Sequence, residues 1–297
     1  MLCEFITRTA RVVLVLSVVG SGLDSGGLMR WASALEQAKE APDVLRRGRQ
    51  VYEANCIMCH GSHGDGQGVA AHMFRVPPRD FRQGLFKFRS TPSGALPTDS
   101  DLLQTVTHGV RWTGMVGRPD LSEADRRAVV HYLKTFSPRF AAEPPALSVA
   151  VPRPPPPSQA LLEQGRRLYD EAGCAQCHGE GARGDGPAAT GLKDDWGWPT
   201  RPSDLTWRPL KRGSSVEGLY LSLVTGLAGT PMPSYGEALA SQDIWALVAY
   251  LESLVPTARR LSPARVLGDE PRGWMAVRMG RMRGHGPMGP GMPHRMP

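Results

Sequence analysis

Apolar positions recur at helical spacing in two separated stretches of the chain. Three helices are expected in the first stretch, and they are indicated by the apolar spacing of 44–52, by that of 102–110, and by the run 125–136 with Ser122 as N-cap. A glycine-rich loop with little regular structure is expected at 61–68. The residues that carry the first two patterns are Val44, Leu45, Gly48, Val51 and Tyr52, followed by Leu102, Leu103, Val106 and Val110. The pattern predicts an all-α fold.

The second stretch repeats the first. The segment 48–52 is echoed by 165–169, and 130–133 is echoed by 248–251. The offset between the copies is 118 residues both at the first cysteine of each and at the closing tyrosine. Repetition over the whole length of a stretch predicts duplication of one domain.

A proline-rich segment, 141–158, separates the two copies. Its prolines at 144–145 and 154–157 favour an extended polyproline spacer. We therefore expect a first domain at 43–140, this linker, and a second domain at 159–256.

Residues 1–34 have the pattern of a secretory signal. Arg8 and Arg11 form a charged n-region, 12–19 are apolar, and Ala32-Ser33-Ala34 is an A-x-A cleavage site. The apolar run is about half of the roughly 20 residues that a membrane-spanning helix needs. We expect a cleaved signal, a periplasmic protein, and membrane contact that is at most peripheral.

Residues 257–297 leave the repeat and form a basic tail rich in Gly, Pro, Met and His. From Gly273 onward the tail has no apolar periodicity, which predicts disorder. Its thioether and imidazole groups suit soft copper ions, and its charge suits an acidic partner or a membrane surface. A solvated tail without a specific role is the third interpretation.

The formal net charge of +7 is unevenly distributed along the chain. Residues 257–297 carry +6, residues 35–140 carry +4, and residues 141–256 carry −4. Nothing in the two repeated domains therefore argues for nucleic-acid binding. Opposite signs on the two halves would orient a redox partner, although two halves that merely differ explain the charges equally well.

Two five-residue runs carry the candidate chemistry. They are Cys56-Ile57-Met58-Cys59-His60 and Cys174-Ala175-Gln176-Cys177-His178, and the C-x-x-C-H spacing is typical of covalent attachment of a c-type haem. Cysteines at i and i+3 share one helical face and can form thioethers with two haem vinyl groups. The histidine at i+4 can bind the iron. We expect two covalent haem c groups, which leaves only Cys3 of the five cysteines unassigned.

A methionine follows each run at nearly the same distance. Met115 lies 55 residues after His60, and Met232 lies 54 residues after His178. A thioether ligand raises the reduction potential of haem iron. We favour these two methionines as sixth ligands over a role as core fillers. His63, His72 and His108 compete with Met115 in the first domain.

Residues 43–256 resemble a dihaem member of the class I cytochrome c family. The resemblance rests on C-x-x-C-H followed by a later methionine, and it implies a helical haem domain in each half. It also implies a low-spin His/Met iron in each, with His60 paired to Met115 and His178 to Met232. The departure from the family pattern is that Met115 lacks the proline neighbours that flank Met232.

Basic residues lie midway in both domains, Arg89 in one and Lys211-Arg212 in the other. They either pair with haem propionates or are solvated surface charges. Arg89 and the Phe-rich stretch before it also resemble a variant of the family that accompanies multi-subunit respiratory and molybdenum oxidoreductases.

The function implied is electron transfer between a protein donor and a protein acceptor, with no catalytic residues of its own. A chain fixed within a larger respiratory complex would share this chemistry. The alternative from another class is a dihaem peroxidase with one open haem. Because each domain has its own methionine, the carrier interpretation is favoured over the enzyme.

Overall fold

The computed structural model of the protein describes residues 42–260. The predicted signal at 1–34 and the tail from residue 261 onward lie outside the described residues. The chain divides into two compact units between Ser148 and Val149. Within residues 42–260 the structure contains helices, turns and isolated β-bridges but no strand, so the predicted all-α class is confirmed.

Five helices form the first unit. The first, α1, spans 42–55, and the short helix α2 carries the end of the first C-x-x-C-H run. The others and their bounds are α2 Ile57–His60, α3 Asp99–His108, α4 Glu123–Lys134 and α5 Arg139–Ala142, with a 3-10 turn at Ala71–Met73.

The ends of α3 and α4 follow from their capping residues. Thr98 and Asp101 form a capping box at the start of α3, and the Ser122 side chain accepts from the Asp125 N–H at the start of α4. Gly109 ends α3 in a left-handed conformation, with φ of 69°. Val110, which the apolar spacing included in this helix, therefore lies beyond its end.

Four helices form the second unit in the matching order. They are α6 Gln159–Glu171, α7 Cys174–His178, α8 Val216–Thr225 and α9 Ser241–Ser253. The first and last of these, α6 and α9, pack against one another along their length. A 3-10 turn at Thr257–Arg259 follows, and Arg260 forms an ion pair with Glu252 at 2.9 Å. The ordered unit thus continues a few residues past Pro256, where the repeat pattern ends.

Each unit has its own apolar core between its first and last helices. In the first unit the core consists of Val51, Tyr52, Phe81, Phe86, Leu102, Val129, Val130 and Leu133. In the second it includes Tyr169, Leu219, Tyr220, Leu223, Ile244, Trp245, Leu247, Val248 and Leu251. Glycine allows the close helix crossing, because a Cβ on Gly48 would lie 2.1 Å from the Ala128 carbonyl oxygen.

The proline-rich segment between the units has no regular structure over 144–158. Its first part is attached to the first unit, where the hydroxyls of Ser148 and Ser90 lie 2.9 Å apart. Val151 packs against the core of the second unit. Among residues 42–260, no helix is both long enough and apolar enough to cross a membrane.

Candidate haem sites

The two C-x-x-C-H runs form short helices with the same termination. Helix α2 ends at Gly61 and α7 at Gly179, both with φ of 76°, a left-handed conformation that favours glycine. The four cysteines of these runs are half-buried, and none of them forms a disulfide. Their sulfur atoms therefore remain available for two thioether bonds in each unit.

Burial keeps these thiols neutral. It raises the pKa of Cys56 to about 11, and the pKa of Cys174 is also raised, again chiefly by burial. The residue three positions after each candidate methionine influences this cysteine: Arg118 lowers the pKa of Cys56, and the Tyr235 hydroxyl lowers that of Cys174 through a hydrogen bond.

The glycine-rich loop after each run folds back onto its helix. The N–H of Gly66 donates to the His60 carbonyl at 3.0 Å, and the N–H of Gly184 donates to that of His178 at 2.8 Å. A buried tyrosine fixes the same corner, since the Tyr52 hydroxyl donates to the Gly61 carbonyl at 2.7 Å. Tyr169 makes the matching bond to Gly179 at 2.7 Å.

Both histidines have a defined proton position. His60 Nδ1 lies 3.1 Å from the Arg79 carbonyl oxygen, and His178 Nδ1 lies 3.0 Å from that of Ser203. A carbonyl can only accept, so Nδ1 carries the proton and the Nε2 lone pair is left for a metal. Burial lowers the pKa of both histidines, which favours the neutral imidazole that binds iron.

The two carbonyls belong to a second repeated motif that the sequence analysis missed. It reads Pro78-Arg79-Asp80-Phe81 in the first unit and Pro202-Ser203-Asp204-Leu205 in the second. The Phe81 N–H donates to the Gly64 carbonyl at 2.7 Å, and the Leu205 N–H donates to that of Ala182 at 2.7 Å. The offset of 124 residues between these copies differs from 118, which concealed the repeat.

In the first unit an aromatic ring also orients the histidine. The Phe81 ring stacks on the His60 imidazole with centroids 4.5 Å apart and planes 21° apart. The matching residue in the second unit is Leu205, which packs against the core without a ring. The two histidines therefore have the same hydrogen bond but different neighbours on the ring face.

The candidate methionines lie in two loops with the same hydrogen bonds. In the first, the Thr113 hydroxyl donates to the Val110 carbonyl at 2.7 Å, and the Met115 N–H donates to that hydroxyl at 3.2 Å. The Val110 N–H donates to the Met115 carbonyl at 2.9 Å. The loop is therefore closed despite the missing prolines.

The loop of the second unit repeats this network with other side chains. The Thr230 hydroxyl donates to the Leu227 carbonyl at 2.7 Å, and the Met232 N–H donates to it at 3.3 Å. The Leu227 N–H donates to the Met232 carbonyl at 3.2 Å. Met232 is half-buried and packs against the core of its unit, and Met115 is also half-buried.

The competing histidines of the first unit are all exposed. His63, His72 and His108 lie on the surface, and His63 Nδ1 is 3.0 Å from the Ser62 hydroxyl. Exposure of these side chains leaves Met115 as the favoured partner of His60.

Arg89 is buried, with 2% of its surface exposed, and its Nε donates to the Pro92 carbonyl at 3.2 Å. The interpretation of Arg89 as a solvated surface charge is therefore wrong. Lys211 and Arg212 are half-buried.

The donor set of each unit fits a covalently attached haem. Two cysteines that form no disulfide share a short helix with a histidine whose Nε2 is available, and a thioether lies on a closed loop. Thiols add to haem vinyl groups, and imidazole and thioether are haem iron ligands.

Comparison with protein families gives one match in each unit. Residues 162–255 match the family described as Cytochrome c, and residues 43–133 match the family described as Cytochrome C oxidase, cbb3-type, subunit III. The chain belongs to the dihaem class I c-type cytochromes. Two cytochrome c domains with one C-x-x-C-H run each bind two covalent haem c groups.

Full-length relatives of this cytochrome include subunits of oxidases. It is 25% identical to the Cbb3-type cytochrome c oxidase subunit FixP of Azorhizobium caulinodans, over 74% of this chain and 64% of that protein. It is 26% identical to the subunit CcoP of Azospirillum brasilense, over 75% of this chain and 68% of that one. The match thus spans slightly less than two thirds of the Azorhizobium protein.

A solved structure is also similar. A chain of the reducing HAO-like protein complex of Kuenenia stuttgartiensis is 41% identical and aligns with a TM-score of 0.69. The alignment covers 71% of this chain and 96% of that chain.

Proposed function

We propose that this cytochrome carries electrons between protein partners through two haem sites, each closed by a histidine and a methionine. The ligands proposed are His60 with Met115 and His178 with Met232, and Cys56, Cys59, Cys174 and Cys177 are the attachment points. The observation that carries the proposal is that the two units share one network, from the Nδ1–carbonyl bond to the threonine-closed methionine loop.

The residues of each unit hold the iron ligands still. The carbonyls of Arg79 and Ser203 fix the orientation and protonation of the two imidazoles. When bound, each haem supplies a one-electron ferric–ferrous couple. A fixed ligand set changes little between oxidation states, which favours fast electron transfer, and the thioether raises the potential.

The matched loops also argue against a peroxidase. A peroxide-reducing haem needs an open or displaceable distal position, and a dihaem enzyme of this kind needs two dissimilar sites. Here both methionine loops are closed by the same three hydrogen bonds, of nearly equal length. We infer that neither haem is built for catalysis.

We further propose that the chain works outside the cytoplasm and within, or beside, a multi-subunit complex. The signal pattern of 1–34 supports export. Relatives named as oxidase subunits, and a similar chain in a solved complex, support assembly with redox proteins. The domain limits at 43–140 and 159–256, with the linker between them, are part of the same proposal.

The test is the oxidised absorption spectrum of the purified full-length protein, with haem counted by pyridine haemochrome. Two haems and a methionine–iron band of two-haem intensity are expected. Met115→Ala and Met232→Ala should each remove about half of that band, because each removes one thioether ligand. A high-spin signal at one haem, with turnover on added peroxide, would contradict the carrier and favour the enzyme.

A further inference from the structure

The first unit exposes large apolar side chains around its haem motif. Met58, Val69, Met73, Trp112 and Val116 are between 52% and 73% exposed. These five residues are called the apolar face below. Met58 lies inside the C-x-x-C-H run, and Val116 directly follows Met115, so the face borders the proposed haem site. Single exposed apolar residues are ordinary, whereas a group on one site is typical of an interaction surface.

The segments that carry these residues are in contact. The Ala70 N–H, next to Val69, donates to the Met58 carbonyl at 2.8 Å, and the Met73 N–H donates to the Ala70 carbonyl at 3.0 Å. Phe74 continues the connection, because its ring lies against Gly114, where a Cβ would come within 2.0 Å of it. Gly114 and Met115 join Trp112 to Val116 along the methionine loop.

Trp112 occupies a backbone position that does not suit it. Its φ is 60°, in the left-handed region that disfavours a bulky side chain, and the matching residue in the second unit is Gly229, with φ of 76°. The side chain of Trp112 is nevertheless 52% exposed. Strain of this kind, of order 1–3 kcal/mol, persists where the residue serves a function.

The second unit lacks this face. Its residues at the positions of Met58, Val69 and Val116 are Gln176, Pro187 and Pro233. Since the two units share the haem motif and the methionine loop, the face is a property of the first unit and not of the haem fold.

The charges around the face are positive. Arg75 follows Phe74 and is exposed, and Arg111 precedes Trp112 and is half-buried. Within residues 42–260 neither forms an ion pair, whereas the nearby Arg118 is paired with Asp120 at 2.7 Å. Residues 42–148 hold 14 basic and 10 acidic side chains, a net charge of +4. A positive surface attracts an acidic partner and steers its approach.

We propose that the apolar face is the docking site for an acidic redox protein whose own contact surface has an apolar centre. The proposal rests on the proposed electron-transfer function and adds which unit meets that partner, and through which residues. Apolar residues at the centre would exclude water, and Arg75 and Arg111 at the rim would set orientation and encounter rate.

The test uses the reduced holoprotein and oxidised plastocyanin, a small acidic copper protein with an apolar surface over its copper. One electron passes from ferrous haem to Cu(II), giving ferric haem and Cu(I), and stopped-flow absorbance gives the second-order rate constant. Trp112→Gly takes the residue of the second unit, and Met73→Gln alters the face away from the methionine loop. Each should slow the reaction at least about fivefold, as truncation at an interface centre does.

Trp198→Gly is the matched control, because Trp198 is 55% exposed but belongs to the second unit. It should leave the rate constant unchanged. Arg75→Gln and Arg111→Gln should slow the reaction and flatten its dependence on ionic strength. Oxidation by cobalt tris(phenanthroline), a small reagent that needs no docking face, measures electron transfer from the haems directly.

The outcomes separate the two proposals. If the small reagent oxidises every variant at the wild-type rate and only the face variants react slowly with plastocyanin, the docking site is supported. If Trp112→Gly and Met73→Gln react with plastocyanin as fast as the wild type, or Trp198→Gly slows as much as they do, the docking site is wrong. If the wild-type haems are not oxidised by the small reagent, the electron-transfer function itself fails.

Discussion

Gly165 in α6 lies against the backbone of Ala246 in α9, where a Cβ on Gly165 would come within 2.0 Å of the Ala246 carbonyl oxygen. The same atom would lie 2.8 Å from the Tyr250 Cβ. No side chain except hydrogen fits such a crossing, so the first and last helices of the unit meet at this residue.

Gly165→Ala is therefore expected to destabilise the protein although alanine is the better helix former. The helices must separate to admit the methyl group, and overpacking of this kind costs about 1–3 kcal/mol. Urea unfolding followed by circular dichroism measures the loss. Arg167→Ala, at an exposed position of the same helix, should change the free energy of unfolding by less than about 0.5 kcal/mol. An unchanged midpoint for Gly165→Ala would mean that the crossing is looser than described.

Tyr52→Phe is expected to weaken the corner after the first C-x-x-C-H run. It removes the hydroxyl that donates to the Gly61 carbonyl and leaves that buried acceptor without this donor, a loss of about 1–3 kcal/mol. The measurement is the urea midpoint of the holoprotein, with amide exchange at Gly64 and Gly66 as the local readout. Tyr132→Phe is the control, since its ring packs on Tyr52 at a centroid distance of 5.5 Å. Equal effects of both changes would argue against the hydrogen bond.

Thr113→Val is expected to loosen the first methionine loop while keeping the side-chain shape. Valine cannot accept from the Met115 N–H or donate to the Val110 carbonyl. The methionine–iron band of the first haem should weaken, and its reduction potential should fall, because a less firmly held thioether stabilises ferrous iron less.

Spectroelectrochemical titration resolves the two haems in this variant. Thr107→Val is the control, because the Thr107 hydroxyl bonds only within α3, to the Leu103 carbonyl. A potential that stays at the wild-type value in Thr113→Val would show that the methionine needs no support from threonine.

Acid should weaken the loop that carries the Arg79 carbonyl. The Arg82 guanidinium donates to Asp80 and holds the pKa of that carboxyl below its ordinary value of 3.8. A carboxyl with a depressed folded-state pKa stabilises the fold above its unfolded-state pKa. This stability is lost as the pH falls through the lower folded-state value.

The stability of wild type should therefore decline more steeply between about pH 5 and pH 2 than that of Asp80→Asn. Urea midpoints at a series of pH values provide the measurement. Asp204→Asn is the matched control, since Asp204 accepts from the uncharged Thr206. Parallel curves for wild type and Asp80→Asn would contradict a role for this ion pair.

The sequence alone predicted the helical class, the duplication, the two haem-binding runs and the two methionine positions. These features are local or exactly spaced: C-x-x-C-H is defined within five residues, and both methionines follow at nearly equal intervals. The Ser122 N-cap was also predictable, because the bond to the Asp125 N–H spans only three residues. The end of α3 was placed too late, since apolar Val110 continued the spacing beyond Gly109.

Only the tertiary structure decided which groups surround those residues. The carbonyls that accept from His60 and His178 lie 19 and 25 residues further along the chain, and their motif is out of register with the main repeat. A carbonyl has no side-chain identity, so sequence pattern could not select Arg79 or Ser203. Burial of Arg89 and exposure of Trp112 likewise depend on how distant segments pack, because the solvent exposure of one residue is set by its neighbours in space.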